Sequence, residues 1–125
     1  MNEGQDLFGG AIRLEGYSLE AAQGELAVTL NFRPLMPMTR DYTLTVGLMS
    51  AGGEIIVQAD GPVAGYPTSA WLPNVALAET RRLALPGAVP DGAALFVGWY
   101  TLEDGARLPV EGAQARDNLL FLGLE

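Results

Sequence analysis

The stretch Glu25-Leu26-Ala27-Val28-Thr29-Leu30-Asn31-Phe32-Arg33 decides how this chain folds. Leu26, Val28, Leu30 and Phe32 fall on one face of an extended chain, and Glu25, Thr29, Asn31 and Arg33 fall on the other. That alternation is the side-chain period of a β-strand, and a face of large apolar residues demands a second layer to cover it. Residues 41–50 repeat the pattern, with Tyr42, Leu44, Val46 and Leu48 inward and Thr43, Thr45, Gly47 and Met49 outward. Two such faces packed together make a sandwich.

Working outward, Ile12, Leu14 and Gly16 alternate with Arg13, Glu15 and Tyr17 and predict a first strand over 11–17, with residues 1–10 flexible ahead of it. Gln23-Gly24 turns the chain into 25–33. Residues 34–38 make a connection, because each proline lacks the N–H that a ladder needs, and Met36 and Met38 read as gap-fillers under that loop rather than as a soft binding surface. Ala51-Gly52-Gly53 makes a hairpin into 54–60. Glu79, Arg81 and Arg82 mark 75–85 as a strand at an edge or in a solvated position. In 93–101, Leu95, Val97 and Trp99 share one face, and Phe96, Gly98 and Tyr100 share the other. Glu103-Asp104-Gly105 turns into 107–110, and 119–124 is a last apolar strand. No segment holds a period of 3.6. The expectation is a single all-β domain over 1–125, a seven-stranded antiparallel sandwich of immunoglobulin-like or fibronectin-III-like type, with a small barrel as the alternative.

At 125 residues the chain can bury roughly two thirds of its unfolded surface, and 49% hydrophobic against 18% charged residues is a globular composition. The 16 Gly and 8 Pro fit an all-β fold with many turns. There is no Cys and no His, and all 7 basic residues are Arg. Thiolate nucleophiles, imidazole bases, Schiff-base lysines and Cys/His zinc sites are therefore excluded, and no cofactor is implied. A net charge of −8 argues against nucleic acid and against an anionic membrane surface. The opening residues have neither the basic nor the apolar region of a signal peptide, and no apolar run approaches a membrane span.

The long segment 60–74 carries the candidate ligand-binding residues Asp60, Tyr66 and Trp71. Tyr66 and Trp71, braced by Pro67 and Pro73, read either as a rigid stacking platform for a sugar or as a plug at the open end of the sandwich. Asp60 is expected to brace its own turn through a bond to the backbone. Met49, Phe96 and Tyr100 on the outward faces would form an apolar docking patch, unless the last strand or a loop covers them. Glu103-Asp104, with Glu111 or Asp60, is the only place to look for a hard cation, and its spacing is not that of a calcium loop, so no metal is expected. Two carboxylates across a cleft could hydrolyse a glycoside, but a compact sandwich sequence offers no visible cleft, and no catalytic residue is assigned.

Several stretches agree in order and spacing with one family: Ile12-Arg13-Leu14 with Gly16-Tyr17, Arg40-Asp41-Tyr42-Thr43, Gln58-Ala59-Asp60-Gly61, Tyr66-Pro67-Thr68-Ser69 with Trp71 and Pro73, and Gly105 with Arg107-Leu108-Pro109. Together they resemble the β-sandwich domain near the C-terminal end of multi-spanning, dolichyl-phosphate-mannose-mannosyltransferase-like membrane proteins of filamentous phototrophic bacteria. The resemblance covers nearly the whole chain, and the Tyr-Pro-Thr-Ser-x-Trp-x-Pro run is its most specific part. It implies a non-catalytic, extracytoplasmic accessory domain whose partners are the membrane portion of a parent protein or envelope glycans. Members often have Gly-Glu where Asn74-Val75 stands and His where Gly47 stands, so a role tied to either does not carry over.

Overall fold

The computed structural model describes residues 2–63, 67–110, 115–116 and 118–124. It is all-β apart from one short 3-10 turn, with two antiparallel sheets facing each other across one core. The first sheet runs β1(Asn2–Phe8), β2(Ile12–Ala22), β3(Glu25–Pro34) and β6(Leu77–Ala84), in that spatial order. The second runs β5(Ile55–Gly61), β4(Thr43–Met49), β7(Ala94–Tyr100), β9(Leu119–Leu122) and β8(Ala115–Arg116). The expectation of seven strands is thus corrected to four in one sheet and five in the other among the described residues. The extra strands are β1 and the two-residue β8.

β1 lies where residues 1–10 were expected to be flexible. Its sequence has no alternating apolar face, which is why pattern alone misses it, but it pairs along β2 from Asn2↔Tyr17 to Phe8↔Ile12 and ends on the fully buried Phe8. The alternations of β3, β4 and β7 hold: Val28, Leu30, Phe32, Leu44, Val46, Leu48, Leu95, Val97 and Trp99 are all fully enclosed. β6 is an edge strand, as its charges suggested. Met38 packs against the core, whereas Met36 is exposed and fills no gap.

Both open flanks of the two-layer stack are tied. On one flank, residues 107–110 form no ladder strand and bridge instead, Arg107 to Tyr100 in the second sheet and Val110 to Phe8 in the first. On the other flank, Arg81 of β6 is only 7% exposed and reaches across to the end of β5. Its guanidinium donates to the carbonyls of Ala59, Gly61 and Pro62 at 3.3, 2.9 and 3.0 Å, and to the Glu79 carboxylate at 2.7 Å. A buried cation is tolerated when acceptors surround it in this way.

Candidate functional site

Residues 67–74, ahead of β6, lie against the end of the stack where β3 and β7 finish and β4 begins. Thr68–Ala70 is a 3-10 turn, and its Thr68, 1% exposed, donates to the Arg40 carbonyl at 2.7 Å and accepts from the Tyr42 N–H at 3.0 Å. The next residue, Ser69, donates its backbone N–H to the Asp41 carboxylate at 3.0 Å, and hydrogen bonding from Ser69 holds that carboxyl below its ordinary value. Two of the stretches that carry the family resemblance are therefore each other's hydrogen-bond partners. Asn74, in the left-handed region with φ 65°, ties the far end of the segment to β3: its N–H donates to the Pro34 carbonyl and its carbonyl accepts from Arg33.

Trp71 follows the turn and is 5% exposed. Its ring stands edge to face with Trp99 at 5.3 Å and 84°, and Trp99 meets Phe32 in the same manner at 5.2 Å and 71°. These rings join both sheets through the core, and a ring so enclosed has no face to offer a sugar, so a stacking platform at Trp71 is not what the geometry provides. Tyr66 lies outside the described residues.

Asp60 is not in a turn. It sits within β5, opposite Thr45 of β4, and its carboxylate accepts from side chains of β4, β5 and β7 rather than bracing its own backbone. The Thr45 hydroxyl donates at 2.6 Å, the Gln58 amide at 3.1 and 3.2 Å, and the Tyr100 hydroxyl at 2.8 Å. Burial pushes the Asp60 carboxyl up, but these hydrogen bonds and the charge of Arg81 outweigh it and hold the group below its ordinary value. The same bond to Asp60, then burial and the carboxylate charge, push the Tyr100 phenol up. Since the folded pKa of Asp60 is depressed, its stabilising contribution is present above the ordinary carboxylate range and is lost as pH falls through the lower folded value. Asp60→Asn should therefore lower stability at neutral pH and flatten the acid limb of a stability-against-pH curve below about pH 4, so that parent and variant converge in acid; equal acid limbs in parent and variant would show that the network does not act on folding.

This network borders a groove of about 300 Å³ on the outer face of the second sheet. Two glycines shape it. A Cβ on Gly47 would lie 2.4 Å from the Val57 carbonyl oxygen and 2.5 Å from Phe96 Cζ, and one on Gly98 would lie 2.5 Å from Leu119 Cδ2. Phe96 and Leu119 thus lie flat over bare backbone and form an apolar floor. Gly47→Ala should cost about 1–3 kcal/mol or more through overpacking, because part of the clash is with backbone that cannot rotate away; a denaturant midpoint equal to the parent's would mean that the sheet yields.

Of the expected docking patch, Met49 and Tyr100 remain half-buried, while Phe96 is 1% exposed and offers almost no surface of its own. Ile55, 54% exposed, supplies the apolar rim that sequence reasoning missed. Gln58 and Thr45 were also missed, although the period of two puts Gln58 and Asp60 on one face; the missing information was the β4–β5 register that sets Thr45 opposite Asp60. A second concavity, on the outer face of the first sheet, is lined by polar side chains including Ser18, Glu20, Thr29 and Arg82.

Among the described residues, no three carboxylates gather as a metal site. Asp104 caps its own turn, accepting from the Thr101 hydroxyl and the Ala106 N–H, and these bonds hold its carboxyl low; Glu111 lies outside the described residues. No helix among the described residues is long and apolar enough to cross a membrane. No family model matches the chain, and neither a curated protein nor a solved structure matches it.

Proposed function

We propose that this chain is a non-catalytic accessory or interaction domain of a cell-envelope, glycosyltransferase-like membrane protein, working outside the cytoplasm on an immunoglobulin-like sandwich. The sandwich type draws support from strand order. β2-β3-β6 and β5-β4-β7-β9 lie in the order A-B-E and C′-C-F-G of such domains, with β1 and β8 added at the edges. The parent protein is inferred from the residues that carry the resemblance, of which Arg40-Asp41-Tyr42 and Thr68-Ser69 act here as a structural staple.

The observation that carries the interaction reading is the groove between Asp60 and Leu119, an apolar floor under an ordered polar rim. Among the described residues that line it the only acid is Asp60, whose oxygens are already engaged by Thr45, Gln58 and Tyr100. A general base needs a free lone pair and glycoside hydrolysis needs a paired acid, so this arrangement suits recognition better than turnover. The partner of this reading is the membrane portion of the parent, and envelope glycans are the partner of the second reading below; the −8 charge disfavours nucleic acid.

A carbohydrate-binding reading survives in altered form, moved from the loop aromatics to this groove, because Tyr100 and Gln58 combine a ring with amide and hydroxyl groups. NMR titration with cell-envelope saccharides separates the two. The expected result is no saturable change in amide shifts; a saturable change centred on Thr45, Gln58 and Tyr100 would replace the interaction reading with a sugar-binding one.

A further inference from the structure

The geometry points to a cationic side chain, carried on a basic segment of a partner protein, as the occupant of the groove on the outer face of the second sheet. This rests on the interaction reading and adds the chemistry of the partner. Asp60 brings a full negative charge to one side, fixed in place by three neighbouring side chains and therefore needing no reordering on binding. Its donors turn their hydrogens toward the carboxylate, which leaves the lone pairs of the Tyr100 hydroxyl facing outward as acceptors. A ligand that brings only acceptors would find no hydrogen to take there, whereas one that brings positively charged donors finds charge and acceptors together.

Beside that charge lie the Tyr100 ring, the half-buried Met49 and the exposed Ile55, which supply the accessible apolar wall. Long basic side chains are built for such a surface, with a hydrocarbon stem on apolar wall and a charged head on an aromatic face or a carboxylate. Arg107 also lines the groove, but Tyr100 pairs with β4 on one side and with Arg107 on the other, so Arg107 stands on the side away from Asp60 and β5. Arg107 has an interaction of its own. The chain as a whole, at −8, draws a basic segment toward it and repels an acidic one.

The test titrates the full chain by NMR, at about 0.15 M salt, where the Debye length is about 8 Å, with an acetylated Gly-Arg-Gly-Arg-Gly amide peptide and with its Gly-Gln-Gly-Gln-Gly counterpart. Saturable shifts of the Thr45, Gln58, Asp60 and Tyr100 amides are expected with the first peptide only. Asp60→Asn should raise the Kd about three- to fivefold, the upper part of the range for one partly exposed ion pair. Glu20→Gln, which removes the same charge from β2 in the other sheet, should leave the Kd within about twofold, because only charges within about a Debye length of the ligand matter. Equal weakening by both substitutions, or shifts scattered over the surface, would mean diffuse attraction and overturn the proposal. Equal binding of the glutamine peptide would overturn it too. If Asp60→Asn alters the whole spectrum, Tyr100→Phe serves in its place: it removes the outward acceptor and should weaken the arginine peptide while leaving Glu20→Gln behaviour unchanged. A saccharide that shifts the same amides would overturn the interaction reading as well, whereas an inert arginine peptide with inert saccharides removes only the basic partner.

Discussion

Trp71→Ala is expected to destabilise the domain by about 3–5 kcal/mol, the usual range for emptying a buried aromatic site. The side chain is 5% exposed and packs edge to face on Trp99, which in turn meets Phe32 of the facing sheet, so its removal opens a cavity at the point where both sheets and the closing segment converge. Little can move in to fill it. The turn that delivers Trp71 is pinned by Thr68 and Ser69 to residues 40–42, and Asn74 is pinned to β3. Since a domain of this size is stable by only about 5–15 kcal/mol, a melting temperature lower by roughly 10–20 °C should be plain in a calorimetric scan. A variant that melts with the parent would mean that the ring is not part of the folded core.

Arg81→Met should be comparably damaging, at about 3–5 kcal/mol, for a different reason. Arg81 does not fill space so much as satisfy groups. Without its guanidinium the carbonyls of Ala59, Gly61 and Pro62 lose their donor, and Glu79, with a side chain 19% exposed, keeps its charge without the cation 2.7 Å away. Unpaired buried acceptors and charges cost more than the bonds themselves contributed. Two controls separate this from simple loss of volume. Arg81→Lys should recover only part of the loss, because an ammonium cannot fork across several carbonyls and a carboxylate at once. Adding Glu79→Leu to Arg81→Met should recover part as well, since it removes the stranded charge; a double variant no better than Arg81→Met would assign the loss to the carbonyls alone. Urea denaturation of these variants reads all the differences on one scale.

The contrast between Arg81 and its neighbours shows how far local pattern reaches. Glu79, Arg81 and Arg82 on one short stretch signal an edge strand, and β6 is one. Period two then makes Arg81 and Leu83 share an inward face, which looks like an error in the pattern until the end of β5 is placed beside it with its outward carbonyls unpaired. An inward-pointing charge on an edge strand also blocks further strand addition, a use that needs no signal in the strand's own composition.

What the chain's own residues determine is the all-β class, the inward faces of β3, β4 and β7, the turns at Gly24, Gly53 and Gly105, and the exclusion of thiol, imidazole and lysine chemistry. These are legible because side-chain alternation, positive φ at glycine and residue inventory are local properties. Tertiary structure alone decided the rest. It recruited Asn2–Phe8 as a strand, since a segment without an apolar stripe becomes ordered only when a neighbouring edge supplies its backbone partners. It buried Trp71, took Asp60 out of its expected turn and into a network with Thr45 and Tyr100, and laid Phe96 over Gly47 to make a groove. Each of these depends on which residues stand opposite one another across strands far apart in the chain. Register of that kind is set by the packing of two whole sheets, not by any stretch read alone.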